Sequence, residues 1–150
     1  MNNIKKYFKF KDVGMVEVKP IKAMRYGRLT KFQEILYNDT YKGYEYYIIN
    51  FGTHPCCYIL LDKNNKYYGK DYDDIPLDVH GGLTFSSFEN QFINNGDKYI
   101  IGWDYAHYGD RFGCDNCYHY SITDHTWKTR ELIKECIDAI DNLISIGGDD

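Results

Sequence analysis

Two short stretches of this chain concentrate groups that bind metals, move protons or hold anions: Asp78-Val79-His80-Gly81-Gly82-Leu83-Thr84 and Gly102-Trp103-Asp104-Tyr105-Ala106-His107-Tyr108-Gly109-Asp110. In the first, an imidazole that titrates near neutrality precedes two glycines, whose bare backbone lets N–H groups approach a ligand closely. His80, Gly81, Gly82 and Thr84 are thus a candidate cradle for an anion or oxyanion. The plainer alternative is a turn that needs positive φ, with His80 hydrogen-bonded inside it. In the second stretch Asp104, His107 and Asp110 recur at every third residue, so one turn or short helix gathers them on one side. Carboxylate and imidazole are the ligand types of Zn, Mn or Fe sites, and a carboxylate beside a histidine also orients it as a general base. The spacing lacks the specificity of HExxH.

Other groups extend these two. His54, in Gly52-Thr53-His54-Pro55, joins them if the sheet brings its strand alongside 98–104; otherwise it is a turn histidine held extended by the following proline. Tyr67, Tyr68, Asp71, Tyr72, Asp73 and Asp74, in the polar stretch Asp62 to Asp78, could close over a ligand, although a solvated acidic loop is the plainer account. Cys114-Asp115-Asn116-Cys117-Tyr118-His119 has the CxxC spacing of a zinc knuckle, with Cys136 or His125 available to complete it. No second CxxC follows, so a turn carrying incidental thiols is favoured.

The elements that must position these residues are readable in part. Tyr7 to Phe10 and Met15 to Val18 alternate around a turn, as two strands do. Leu29, Phe32, Ile35 and Leu36 suit a short helical stripe. From Tyr44 to Leu61 the chain is dense in Tyr, Ile and Phe and broken only at 52–55, which reads as two buried strands and a tight turn. Lys98 to Asp104 is a further strand. Leu132, Ile133, Cys136, Ile137, Ile140, Leu143 and Ile144 mark an amphipathic helix over Thr126 to Ile146, with Thr126 as its cap and Gly147-Gly148 as its stop. Cys56 and Cys57 face opposite sides of a strand and Cys136 lies on the helix stripe, so these three read as packing residues. The expected fold is α+β: a mostly antiparallel sheet from the segments near Val16, Ile48, Ile59 and Ile101, with the C-terminal helix packed on one face.

Composition narrows the function. With 150 residues, 43% of them hydrophobic, the chain is expected to form a single domain around one core. A formal charge of −4 gives no field that would attract a polyanion in bulk, although Lys5, Lys6, Lys9, Lys11, Lys19, Lys22, Arg25, Arg28 and Lys31 make the N-terminal third locally basic. No apolar run is long enough to cross a bilayer, and Met1 to Lys11 lacks the apolar segment of a signal peptide. Partners are therefore expected to be a small-molecule ligand or another protein, with no bulk nucleic acid and no membrane. An oligomer is compatible with this composition.

Taken together, Gly52-Thr53-His54-Pro55-Cys56, Tyr68-Gly69-Lys70-Asp71-Tyr72-Asp73-Asp74-Ile75, Val79 to Thr84 and Gly102 to Asp110 resemble a family of small uncharacterised phage and prophage proteins, over roughly Tyr44 to Asp110 plus a C-terminal helix introduced by a Thr-Trp pair. The Cys114 to Tyr120 insertion and the Lys-rich N-terminus fall outside the family pattern. The resemblance implies an accessory gene product in the cytoplasm of a bacterial host, acting on host physiology or defence, and implies no reaction.

Three functions follow as expectations. The first is a binding protein that sequesters a small polar, nucleotide-derived or phosphorylated molecule through His54, Tyr72, Asp74, Gly81, Gly82, Thr84, Tyr105 and Asp110. The second is a hydrolase with a divalent metal on His80, Asp104, His107 and Asp110, in which His80, Asp104 or His107 activates water. The third is an inhibitor of a host protein, which requires an exposed aromatic patch. Convergence of His54, His80 and His107 in space is the feature on which the first two depend.

Overall fold

The structure, a computed structural model, describes residues 6–10, 14–21, 24–25, 28–29, 33–51, 54–90, 92–107, 110–112 and 125–147. Its strands are β1 (Lys6–Phe10), β2 (Gly14–Ile21), β3 (Met24–Arg25), β4 (Arg28–Leu29), β5 (Gln33–Tyr41), β6 (Tyr44–Asn50), β7 (Pro55–Leu61), β8 (Phe85–Ser87), β9 (Tyr99–Asp104), β10 (Asp110–Phe112) and β11 (His125–Trp127). A single described α-helix, α1, spans Thr129–Gly147. Seven strands form one sheet in the order β1-β2-β5-β6-β7-β9-β8, with every neighbouring pair antiparallel. The fold is α+β as expected, and the segments near Val16, Ile48, Ile59 and Ile101 supply four of its strands.

Strand β7 lies inside the sheet, between β6 and β9, and is buried along its whole length. Its alternate residues divide between two cores, as the two-residue period of a strand requires. Cys57, Ile59 and Leu61 point to the side covered by α1, where they meet Leu132, Cys136, Ala139, Ile140 and Leu143. Cys56, Tyr58 and Leu60 point to the other side, toward Ile49, Ile93 and Ile100. Burial pushes the Cys56 and Cys57 thiols up, the nearby Asp104 carboxylate adding for Cys56 and Cys136 for Cys57, so both remain inert packing groups.

Two expectations about elements are corrected. The described residues of the stretch from Leu29 to Leu36 are not helical: Leu29 ends β4 and Gln33 to Leu36 begin β5, with Leu36 in the helix-side core and Ile35 against the opposite one. A two-residue alternation paired with β6 outweighs a helical stripe that is too short to stand alone. Nor does Thr126 cap α1, because it belongs to β11, opposite Arg111 of β10. Helical bonding starts when Leu132 N–H donates to the Lys128 carbonyl (3.1 Å), and the Glu131 carboxylate accepts the Lys128 N–H (3.0 Å). That is the return half of a capping box, with no Ser or Thr at its head.

Residues 62–78 have no strand, as their composition suggests, but they are anchored. Tyr67, Ile75 and Leu77 are buried in the helix-side core, and a 3-10 turn at Tyr72–Asp74 is tied to β8 by Tyr72 N–H donating to Ser86 Oγ (3.0 Å). Cys114, Cys117 and His119, and the basic side chains between Lys5 and Lys31, lie outside the described residues and side chains.

Candidate functional site

Strand β9 ends at Asp104, and the chemistry starts there. Side chains along β9 alternate, so Trp103 and, just beyond the strand, Tyr105 enter the helix-side core while Asp104 faces the other way. Trp103 Nε1–H donates to the Tyr105 hydroxyl (2.9 Å), which donates to Glu135 Oε1 on α1 (3.1 Å). Tyr105 is thereby fixed as a flat buried plate, and burial raises its hydroxyl far above the ordinary range. His80 stacks on that plate, ring centroids 4.7 Å apart and planes 7° from parallel.

His80 sits in a turn closed by Gly82 N–H donating to the Val79 carbonyl (2.9 Å). Gly81, at φ +72°, takes the third position, where a type II turn requires a positive φ. It is needed for a second reason: a Cβ there would stand 2.4 Å from His107 Cε1 and 2.5 Å from Nε2. The His107 imidazole thus rests against the backbone of the turn that carries His80, and the two rings meet edge to face at 5.3 Å.

Asp110 joins them. After β9 the chain turns back, Asp110 N–H donating to the His107 carbonyl (2.9 Å), and then enters β10. The Asp110 side chain is only 5% exposed, too little for water to solvate a carboxylate. Protein donors replace the water. Oδ2 faces His80 Nε2 at 2.8 Å and His107 Nδ1 at 3.2 Å and accepts the His107 backbone N–H at 3.1 Å, while Oδ1 accepts Trp127 Nε1–H from β11 at 2.9 Å. Burial alone would raise this carboxyl, but the bonds from His80, Trp127 and the His107 amide outweigh it and hold Asp110 below its ordinary value.

Asp104 stands beside this group. Its Oδ1 accepts the Ala106 N–H (3.2 Å), its Oδ2 accepts the Thr84 hydroxyl proton (3.2 Å), and Oδ1 lies 3.7 Å from His107 Nε2. His107 is therefore bracketed by carboxylates, Asp110 on Nδ1 and Asp104 toward Nε2. One nitrogen each of His80 and His107 and an Asp110 oxygen all lie within 4.8 Å of one another, a set able to hold a metal ion. Asp104 is no member of it, because it addresses the opposite nitrogen of the ring.

Of the residues singled out from sequence, His80, His107 and Asp110 meet directly; Asp104, Thr84, Tyr105 and Gly81 support them, and Gly82 closes the turn. The strand after His54 does run alongside β9, Tyr105 N–H donating to the Pro55 carbonyl (3.1 Å), but His54 is not in the metal-holding set: its carbonyl accepts the Phe51 N–H and its ring packs on Phe51 at 6.2 Å. Tyr72 and Asp74 are held in their own 3-10 turn against β8, with no hydrogen bond or ring contact to the cluster. Two participants went unassigned from sequence. Trp127 bonds Asp110 and edges onto both His80 (5.1 Å) and Tyr105 (4.8 Å); its only trace is the Thr-Trp pair before the helix. Glu135 reaches Tyr105 from between the apolar positions of α1, where nothing in the sequence distinguishes it from a solvated helix face. Beside His80, Asp78, Glu135, Asp138 and Asn142 line a cleft of about 260 Å³, and a separate cavity of about 650 Å³ lies against Tyr44, Leu60, Asp62, Lys98 and Ile144. No family model, curated protein or solved structure matches this chain, so what the cluster does has to be argued from its own atoms.

Proposed function

We propose that this protein is a metal-dependent hydrolase whose ion is held by His80 Nε2, His107 Nδ1 and Asp110 Oδ2. The observation that carries this is the mutual approach of one ligand atom from each of these three residues within 4.8 Å, with His80 Nε2 and His107 Nδ1 at 2.8 and 3.2 Å from Asp110 Oδ2. Donors about 2.1 Å from an ion stand roughly 3.0–3.5 Å from one another, so shifts of about an ångström accommodate one. Three protein donors leave positions for water and substrate, as catalytic sites do and closed structural sites do not. The surroundings support the same reading: a ligating histidine commonly gives its other N–H to a carboxylate, and Asp104 stands toward His107 Nε2 at 3.7 Å. Trp127 holds the second oxygen of Asp110, favouring single-oxygen coordination.

A bound ion of this kind polarises a substrate oxygen and lowers the pKa of water. The chain's own residues orient the imidazoles, and Asp104, 27% exposed and with its bonds at the strand end, is the carboxylate best placed to take a proton from water. Among the described residues the adjoining cleft is lined by Asp78, Glu135 and Asp138 with no Lys or Arg, which favours a neutral or cationic substrate over a phosphorylated one. Capture of a phosphorylated ligand finds less support for that reason, and because the Gly82 N–H is used within its own turn. Inhibition of a host protein lacks its aromatic patch: among the described residues Phe88 alone is a large exposed hydrophobic. The resemblance to phage and prophage proteins supplies the setting of an accessory gene product.

The test is metal analysis of protein purified without added metal or chelator. About one equivalent of a transition metal is expected, falling to background in His80→Ala and His107→Ala. Metal-free protein that also ignores added Zn, Mn, Fe and Co would remove the basis of this function.

A further inference from the structure

The larger cavity belongs to a different part of the molecule. The imidazole cluster follows Asp104, which pairs with Cys56, whereas this cavity is lined by the residues just outside the Leu61 and Tyr99 pair. Five residue steps separate those ends of the ladder, roughly 17 Å of strand. At about 650 Å³ it has the size of a small-molecule site.

Its lining is unusual in what it leaves unpaired. Ile144 of α1 and Leu60, otherwise packed in the core on the opposite face, are its apolar lining. Lys98 is half-buried, yet its ammonium has no ion pair or hydrogen bond among the described residues. Asp62, which is exposed, lines the same cavity and makes no ion pair among the described residues; its carboxylate accepts the Asn64 N–H at 3.1 Å. Two opposite charges thus share one cavity without neutralising each other, since an ammonium and a carboxylate within 4.0 Å would pair. The other lysine on the rim, Lys42, is occupied by Asp141 at 2.8 Å. Lys42 also sits at φ +49° in the two-residue turn between β5 and β6, a position that favours Asn, Asp or Gly.

We infer that this cavity is a second ligand site, which takes a small amphipathic zwitterion such as an apolar amino acid or dipeptide. The carboxylate of the ligand meets Lys98, its ammonium meets Asp62, and its apolar part lies on Leu60 and Ile144. A lone anion would leave Asp62 unpaired beside it, and a lone cation would do the same to Lys98. The inference does not depend on the metal site.

Calorimetric titration with leucine and leucyl-leucine tests it, with N-acetyl-leucine and leucinamide as analogues that lack one charge each. Saturable binding of at least one zwitterion is expected, about ten-fold weaker or worse for both analogues. Lys98→Met and Asp62→Asn, checked for retained fold by circular dichroism, should each weaken it by a similar factor, while His80→Ala should not. Absence of binding at about 10 mM of either zwitterion, equal binding of a capped analogue, or affinity unchanged in Lys98→Met would each overturn the inference.

Discussion

At the scale of single residues, the cluster rests on groups that cannot be exchanged for near neighbours. Gly81 and Gly82 both have positive φ, +72° and +81°, yet only at Gly81 would a Cβ meet anything within 4 Å. Gly82→Ala should therefore cost only backbone strain, about 1 kcal/mol. Gly81→Ala adds a collision with His107 and should cost about 2–3 kcal/mol or displace the ring. Urea unfolding of the two variants separates these outcomes, and equal losses would show that His107 does not rest on the turn. Asp110 supplies a second prediction. Its pKa is lower folded than unfolded, so its stabilisation is complete above the unfolded value of about 4 and is lost as pH falls through the lowered folded value. Asp110→Asn should be destabilised by about 2 kcal/mol near pH 6, since Asn carries no charge and must place an N–H₂ among donors. The gap from the natural protein should close below about pH 4. Melting curves between pH 3 and pH 7 measure it, and a gap that does not change with pH would contradict the account.

At the scale of elements, the helix–sheet contact is what holds the cluster's floor in place. Ile140 is fully buried between α1 and the sheet, in the same core as Tyr105 and Trp103. Ile140→Ala should cost about 2–5 kcal/mol through lost burial and the cavity left behind. A loss below about 1 kcal/mol in chemical denaturation would mean that α1 is not docked as described. Strand β9 carries a comparable constraint at Gly102. An added Cβ would stand 2.5 Å from Tyr58 Cδ1 and 2.8 Å from the Cys57 carbonyl oxygen, and the latter is backbone that cannot swing aside. Gly102→Ala should weaken the β7–β9 pairing that aims Asp104, lowering both stability and metal occupancy. Thermal melting and metal content, measured on one preparation, test this together.

At the scale of the whole molecule, metal binding and folding should be linked. The set draws His80 from the turn before β8, His107 from the loop after β9 and Asp110 from β10, and unfolding separates all three. An ion that binds the folded form alone adds about 2.7 kcal/mol at one hundred times its dissociation constant. The melting temperature should therefore climb with metal concentration, and climb less at pH 5 than at pH 7.5, because protons compete for the same imidazole nitrogens. Scanning calorimetry across a zinc or manganese series would show this; a flat response in the natural protein would count against the metal.

The order of residues determined by itself the α+β class, the amphipathic stripe of α1, the buried β6–β7 pair and the spacing that puts Asp104, His107 and Asp110 on one short segment. These are local, because side-chain period along one element follows from its own backbone geometry. Only the tertiary structure decided that Asp110 binds His80 from thirty positions earlier and Trp127 from seventeen later, that Asp104 faces the far nitrogen of His107, and that the His54 ring packs on Phe51. Such partners are set by strand order and by which face of the sheet α1 covers, and no spacing within one segment encodes either. Thr126 makes the same point in small: it has the chemistry of a cap, but pairing with Arg111 in the β10–β11 ladder claimed its backbone first.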